Sequence, residues 1–222
     1  MASSAPSPFS NGSALVAHVK QAIKNAQNKK SKLSSEVLHI EGMSSAKGRH
    51  LLNNLCNVPN VKLLEIGSWK GSTFISALYR NKKNVKVAYS IDNWSKFGGP
   101  KTEFTRNLSK FLPAYPIKAY DQDSFKFDPK TITEKINVYI YDGSHTAKDQ
   151  ERALTYYRSV FADLVVFICD DWRRTDVQEG TISGLVKSGY DLLYHKVLPS
   201  AKPDDYETWW NGYYVAVLKK RS

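Results

Sequence analysis

Two short acidic stretches carry the densest chemistry in this 222-residue chain, Asp142-Gly143-Ser144-His145 and Asp170-Asp171-Trp172. Each follows an apolar run, residues 136–141 and 164–169, with the length and composition of a buried strand. Carboxylates gathered at one sheet edge repel one another unless a cation neutralises them or one keeps its proton. Oxygen donors of this kind suit a hard divalent ion, Mg2+ or Mn2+, whose remaining positions go to water or to oxygens of a ligand. His145 adds a base whose ordinary pKa, about 6.5, lets it take a proton near neutral pH. The plainer roles are Asp171 capping the next helix, Asp142 bonding backbone amides and His145 buttressing Asp142.

A second site lies in residues 61–94, VKLLEIGSWKGSTFISALYRNKKNVKVAYSIDNW. The run 61–66 is apolar apart from Lys62 and Glu65, and Gly67, Ser68 and Gly71 follow it, so a buried strand enters a tight turn. Phe74, Ile75, Leu78 and Tyr79 then recur at helical spacing, and a second apolar run, 85–91, stops at Asp92. Strand, glycine loop, helix, strand and carboxylate together suit a nucleoside-bearing cofactor, its polar part over loop backbone and its ribose hydroxyls on the carboxylate. The loop reads E-x-G-x-x-x-G rather than the G-x-G-x-x-G of dinucleotide binders, and no phosphate loop is present. Glu65 would repel a pyrophosphate and suits a positively charged ligand.

On these residues the chain resembles the class I S-adenosylmethionine-dependent methyltransferases, whose first motif has this form. The resemblance spans roughly residues 39–218. It implies an α/β, Rossmann-like sandwich with a seven-stranded, mostly parallel sheet and an antiparallel last strand. It also implies cofactor contacts from Glu65, Gly67, Ser68, Gly71, Ser72, Asp92, Trp94 and Asp142, with Asp123 or Ser124 bonding the adenine amino group. D-G-x-x followed by D-D-[YW] narrows the resemblance to metal-dependent O-methyltransferases that act on sugar hydroxyls of natural products. Position by position, that group implies Asp142, Asp170 and Asp171 as ligands of Mg2+. Some members carry a second aspartate two places after the first as general base. Ser144 stands there in this chain, and His145 is the base implied, as in members that use histidine. The segment Glu41-Gly42-Met43-Ser44-Ser45 is similar to one that small sugar and natural-product O-methyltransferases carry before the first core strand, which puts Glu41 and Met43 near the acceptor.

Positioning these groups requires further elements. Leu15, Val16, Val19, Ile23 and Ala26 form one stripe over residues 13–27, and a second helix is expected over 47–55. Further helices are expected over 101–111 and 148–161, a strand over 115–120, and an antiparallel closing pair over 188–195 and 212–218. Between that pair, Trp209 and Trp210 offer either an acceptor platform or packing against the sheet. Arg173 beside Arg174 reads as acceptor rim or solvent-facing charge. The domain reading is a disordered tail at 1–12, a helical lid at 13–57 and a catalytic core at 58–222.

With 41% apolar and 24% charged residues the composition is globular. No run approaches the roughly eighteen apolar residues of a membrane span, and the first twelve residues lack the order of a secretion signal. Cys56 and Cys169 have no zinc or disulfide spacing, so a cytoplasmic protein is expected. The formal charge of +11 is spread over scattered lysines, a solvated surface that also leaves nucleic acid open as a partner. The K-D-K-E arrangement implied by resemblance to ribose 2'-hydroxyl methyltransferases is not found. The expected function is metal-assisted methyl transfer from S-adenosylmethionine to a hydroxyl of a sugar or glycan. A catechol-like or other small acceptor, or an inactive cofactor- or nucleic-acid-binding protein, is the alternative, and a homodimer is allowed.

Overall fold

Seven strands form one sheet in the computed structural model, which describes residues 7–221. They are β1 (Val61–Ile66), β2 (Val85–Asp92), β3 (Ile117–Asp121), β4 (Ile136–Tyr141), β5 (Phe161–Cys169), β6 (Tyr190–Leu198) and β7 (Tyr213–Lys220). Their order across the sheet is β3-β2-β1-β4-β5-β7-β6, and β7 pairs antiparallel with both β5 and β6. This is the mostly parallel sheet with an antiparallel last strand that the sequence led us to expect. The helices are α1 (Gly12–Gln27), α2 (Ser35–Leu38), α3 (Ala46–Leu55), α4 (Ser72–Leu78), α5 (Lys101–Phe111), α6 (Ala147–Tyr156) and α7 (Thr175–Lys187).

Side chains alternate across the sheet because successive strand residues point to opposite faces. Leu63, Val138, Val166 and Val215 share one core with Leu15, Val19, Leu51, Ile75 and Phe104 from α1, α3, α4 and α5. Leu64, Tyr139, Phe167 and Tyr214 share the other with Leu154 of α6 and Val177 of α7. Both faces of the central strands are therefore covered, which explains their near-continuous apolar sequence.

The N-terminal region departs from expectation. Residues 1–6 of the expected tail lie outside the described residues, but Pro8–Ser10 form a 3-10 turn and the Asn11 side chain caps α1 by accepting from Ala14 N at 3.1 Å. Ser7 Oγ also donates to Pro59 O at 2.8 Å. Leu15 and Val19 of α1 and Leu51 of α3 are fully buried in the core that holds the strands. The segment between α2 and α3 reaches the cofactor loop, where Glu41 pairs with Lys70. The expected helix over 148–161 ends at Tyr156, because a 3-10 turn and then β5, pairing Phe161 with Ile136, take the rest. Among the described residues no helix is long and apolar enough to cross a membrane.

Candidate active site

The loop after β1 turns on two glycines. Gly67 has φ +84°, and a Cβ there would lie 2.0 Å from the carbonyl oxygen of Asp142. Any side chain would push the loop off the end of β4. Gly71, with φ +87°, occupies the N-cap of α4. Asp92 closes the other side of the loop. Its Oδ2 accepts from Trp69 N at 2.8 Å and its Oδ1 from Trp94 N at 2.7 Å, leaving each oxygen a lone pair for a diol. Trp94 is buried, donates from Nε1 to Trp69 O at 2.7 Å and packs on Phe104, so it braces the loop wall.

Glu65 is fully buried. Its Oε1 accepts from Thr73 Oγ1 at 2.8 Å, while Oε2 has no hydrogen-bond partner. Burial lifts its pKa to about 8, against the pull of the Thr73 hydroxyl. An orphaned, buried acceptor of this kind is costly unless a cationic or donor group meets it. It fits a cofactor with a sulfonium and an ammonium group, and so do the glycine-lined backbone and the free lone pairs of Asp92. Ser68 turns inward, Oγ 2.8 Å from Ser90 Oγ, and Ser72 Oγ lies 3.4 Å from Ser44 Oγ.

Asp142 follows β4, and its amide donates to Ile66 O at 2.9 Å, so the acidic stretch sits beside the glycine loop. Asp171 has φ +56°, a left-handed turn that redirects its side chain after β5. The turn is held where Trp172 N donates to Gly212 O at 3.0 Å, so the insertion of β7 beside β5 helps to set it. His145 Nε2 lies 2.9 Å from Asp171 Oδ2 and 3.9 Å from Asp142 Oδ1. The approach to Asp171 lacks hydrogen-bond alignment, and Nε2 is buried without a bonded partner. One donor atom from each of Asp142, His145 and Asp171 lies within 4.8 Å of the others. Asp170 is outside this group. Its carboxylate is buried and accepts from Asp171 N at 2.8 Å, because consecutive residues at a strand end cannot both face the same point without such a turn. Of the expected ligand trio, Asp142 and Asp171 come together beside His145, and Asp170 lies outside this group.

Electrostatics follow this crowding. Burial, with the like charge of Asp171 behind it, lifts Asp142 to about 6 although His145 pulls the other way. Burial and the charge of Asp142 push Asp170 well above the carboxylate range. Asp142 and Asp171 hold His145 up at about 10 despite its desolvation. Without another cation, the imidazolium is the charge that balances the site. The two carboxylates are a donor set that fits a hard divalent ion, Mg2+ or Mn2+, and the imidazole beside them is then free to take a proton.

Other expected site residues are more scattered. Glu41 pairs with Lys70 of the glycine loop at 2.8 Å, and Met43 is 38% exposed beside it in sequence. Asp123 accepts from Phe125 N at 2.8 Å in a tight turn, and Ser124 offers its carbonyl to the Tyr157 hydroxyl. Arg173 is exposed and donates to Ser200 O at 3.3 Å. The tryptophan platform is corrected. Trp209 is buried in the core beneath α1, and Trp210 is buried with its ring edge-on to Tyr206, so neither presents an open face to an acceptor. Thr73, Ser90, Lys70, Arg49 and Tyr213 surround the site without having been expected there. Nothing in their type or spacing separates them from ordinary helix and strand residues.

A family model described as "Methyltransferase domain" matches residues 64–172, a span that holds the glycine loop, Asp92 and the acidic stretches. A search of the curated proteins returns no match. Among solved structures, a candidate O-methyltransferase from Klebsiella pneumoniae aligns with TM-score 0.57 at 12% identity, covering 90% of this chain and 89% of that one. A candidate RNA methyltransferase from Pyrococcus horikoshii aligns with TM-score 0.56 at 13% identity, covering 91% and 96%. The TrmK protein of M. capricolum, solved with S-adenosyl-homocysteine, aligns with TM-score 0.53 at 15% identity over 77% and 68%. At these identities the likeness is one of fold. Residues 64–172 are thus similar to a methyltransferase domain, and the strand order is that of the Rossmann-like α/β fold shared with these structures.

Proposed function

We propose that this protein is a divalent-metal-assisted O-methyltransferase whose acceptor is a hydroxyl of a sugar or glycan. The observation that carries the reading is the contact between its two halves. Gly67 of the cofactor loop lies against the Asp142 carbonyl, and Asp142 belongs to the Asp142, His145 and Asp171 cluster. A methyl donor on the loop and an acceptor on the cluster would then be neighbours, as in-line displacement requires. The resemblance of the D-G-x-x and D-D-W stretches to sugar O-methyltransferases supports the acceptor class.

Asp142 and Asp171 would hold the cation, with Asp170 supporting Asp171 through its amide. A bound cation supplies Lewis-acid polarisation of the acceptor hydroxyl. His145 Nε2 would take the hydroxyl proton, and the cofactor, when held by Glu65 and Asp92, would supply the methyl group from its sulfonium. The high pKa of His145 comes from the unbalanced charges of Asp142 and Asp171. Once those charges are matched the imidazole returns towards its ordinary range and serves as base. Glu65 and Asp92 anchor the cofactor, and the Glu41–Lys70 pair ties the segment before α3 to its loop. Methyl transfer from labelled S-adenosylmethionine to a panel of sugars, glycans and catechols, with EDTA and with added Mn2+ or Mg2+, tests the proposal. Turnover of a sugar that chelation abolishes supports it. Catechol turnover alone, or turnover indifferent to chelation, overturns it.

A further inference from the structure

Arg49, on α3, is 4% exposed, and all its hydrogen bonds go to uncharged oxygens. Nη1 donates to Leu38 O and Ile40 O at 3.1 and 2.7 Å, Nε to Ser44 Oγ at 2.9 Å and Nη2 to Gly42 O at 3.4 Å. Among the described residues it enters no salt bridge. A buried guanidinium without an anion is expensive, and burial presses against its charge. Lys70, the other cation beside this segment, is already paired with Glu41.

The guanidinium lies near Ser72, the first residue of α4 after the cofactor loop. A Cβ built on Gly42 would lie 1.9 Å from Ser72 Oγ and 2.9 Å from Arg49 Nη2, so Gly42 lets both donors pack against the same stretch of backbone. Ser44 Oγ, bonded to Arg49 and 3.4 Å from Ser72 Oγ, completes a cluster of hydroxyl and guanidinium donors against the first turn of α4. A second unpartnered group lies nearby. The Tyr213 hydroxyl is buried, makes no hydrogen bond and would touch a Cβ at Gly48, the residue before Arg49, at 2.7 Å. Glu65 meanwhile offers a buried carboxyl oxygen without a partner on the strand that leads into the loop. The cofactor's amino-acid end carries one charge of each sign, an ammonium and a carboxylate.

We propose that Arg49 is the counter-charge for the carboxylate at the amino-acid end of S-adenosylmethionine, and that it holds residues 38–44 over the cofactor loop to deliver that charge. The inference rests on the methyltransferase reading of the loop. It makes Arg49 a specificity residue as well as a pin for the segment, since a nucleoside lacking the carboxylate would leave the guanidinium unpaired. Charge-assisted bonds of this kind are among the stronger polar contacts.

The test is a cycle of binding measurements, with wild type, Arg49→Lys and Arg49→Gln titrated against S-adenosylhomocysteine and its carboxyl methyl ester. 5'-Methylthioadenosine, which lacks the amino-acid end, is the third ligand, and thermal melts report folding. Wild type is expected to prefer the acid over the ester by roughly ten- to a hundredfold. Arg49→Gln should bind acid and ester alike while keeping its affinity for methylthioadenosine, and Arg49→Lys should retain part of the preference. Equal binding of acid and ester by wild type overturns the proposal, as does an undiminished preference in Arg49→Gln. If Arg49→Gln does not fold, the wild-type comparison and Arg49→Lys decide, and a fully retained acid preference with weakened methylthioadenosine binding in Arg49→Lys assigns Arg49 to structure alone. Failure of wild type to bind any of the three ligands instead strikes the cofactor reading beneath it.

Discussion

Replacing Glu65 by glutamine keeps the shape of the side chain and its acceptor for Thr73, and removes only the ability to ionise. In the ligand-free protein the Glu65 carboxyl titrates at about 8, against 4.5 for the free group, because burial penalises its charge. A folded-state pKa above the unfolded one means that the native state holds the proton more tightly. Stability from this group is complete below about pH 4.5 and falls as pH rises through 8. The difference of 8 and 4.5 amounts to on the order of 5 kcal/mol by pH 9, with no solvent screening to discount it since Glu65 is fully buried. For a chain of this length each kcal/mol is about 2–4 °C in Tm. Melting curves from pH 5 to 9 should therefore show the wild type losing roughly 10 °C or more relative to Glu65→Gln. Calorimetry should show the same variant binding S-adenosylmethionine at least about tenfold more weakly, the loss expected for a charge-assisted contact. Parallel stability curves for the two proteins would refute the account of Glu65 as a strained, ligand-directed charge.

The other predictions concern the cluster and the core. His145, held at about 10, must release its proton when a divalent ion takes over the charge of Asp142 and Asp171, so Mn2+ affinity should rise about tenfold per pH unit between 6.5 and 8.5. His145→Asn should flatten that slope in a Mn2+ titration followed by electron paramagnetic resonance. Trp209→Ala should cost about 3–5 kcal/mol in denaturant unfolding, because it empties a core position, and should leave the choice of acceptor unchanged in the folded fraction.

What the sequence made legible was whatever depends on local pattern. The unit from Val61 to Asp92 could be read because its strands are buried on both faces, its turn needs glycine at φ +84° and +87°, and its carboxylate ends a strand. The positions of Asp142 and Asp171 just past the ends of β4 and β5 were legible for the same reason. What escaped depends on where chain segments meet. Asp170 and Asp171 are equivalent as letters, and only the left-handed turn at Asp171, tied to Gly212, sends one to His145 and leaves the other buried behind it. Trp209 and Trp210 have the composition of a sugar platform, yet the return of the chain into β7 buries both. The amphipathic stripe of α1 correctly announced a helix with one buried face. It could not say which part of the chain that face meets, which is the core shared with the strands. Arg49 gave no signal at all, since its meaning lies in the absence of an anion around it.

The central claim is a cofactor site and a cation site in contact, and calorimetric titration tests it most directly. Wild type, Asp142→Asn and Asp171→Asn would each be titrated with S-adenosylhomocysteine in EDTA, and then with Mn2+. The account predicts that the wild type binds S-adenosylhomocysteine in EDTA and binds Mn2+ in a separate step. Asp171→Asn should keep the first and lose the second, and Asp142→Asn, whose backbone abuts Gly67, should lose the second and weaken the first. Absence of S-adenosylhomocysteine binding in the wild type, or Mn2+ binding undiminished in both variants, would contradict it.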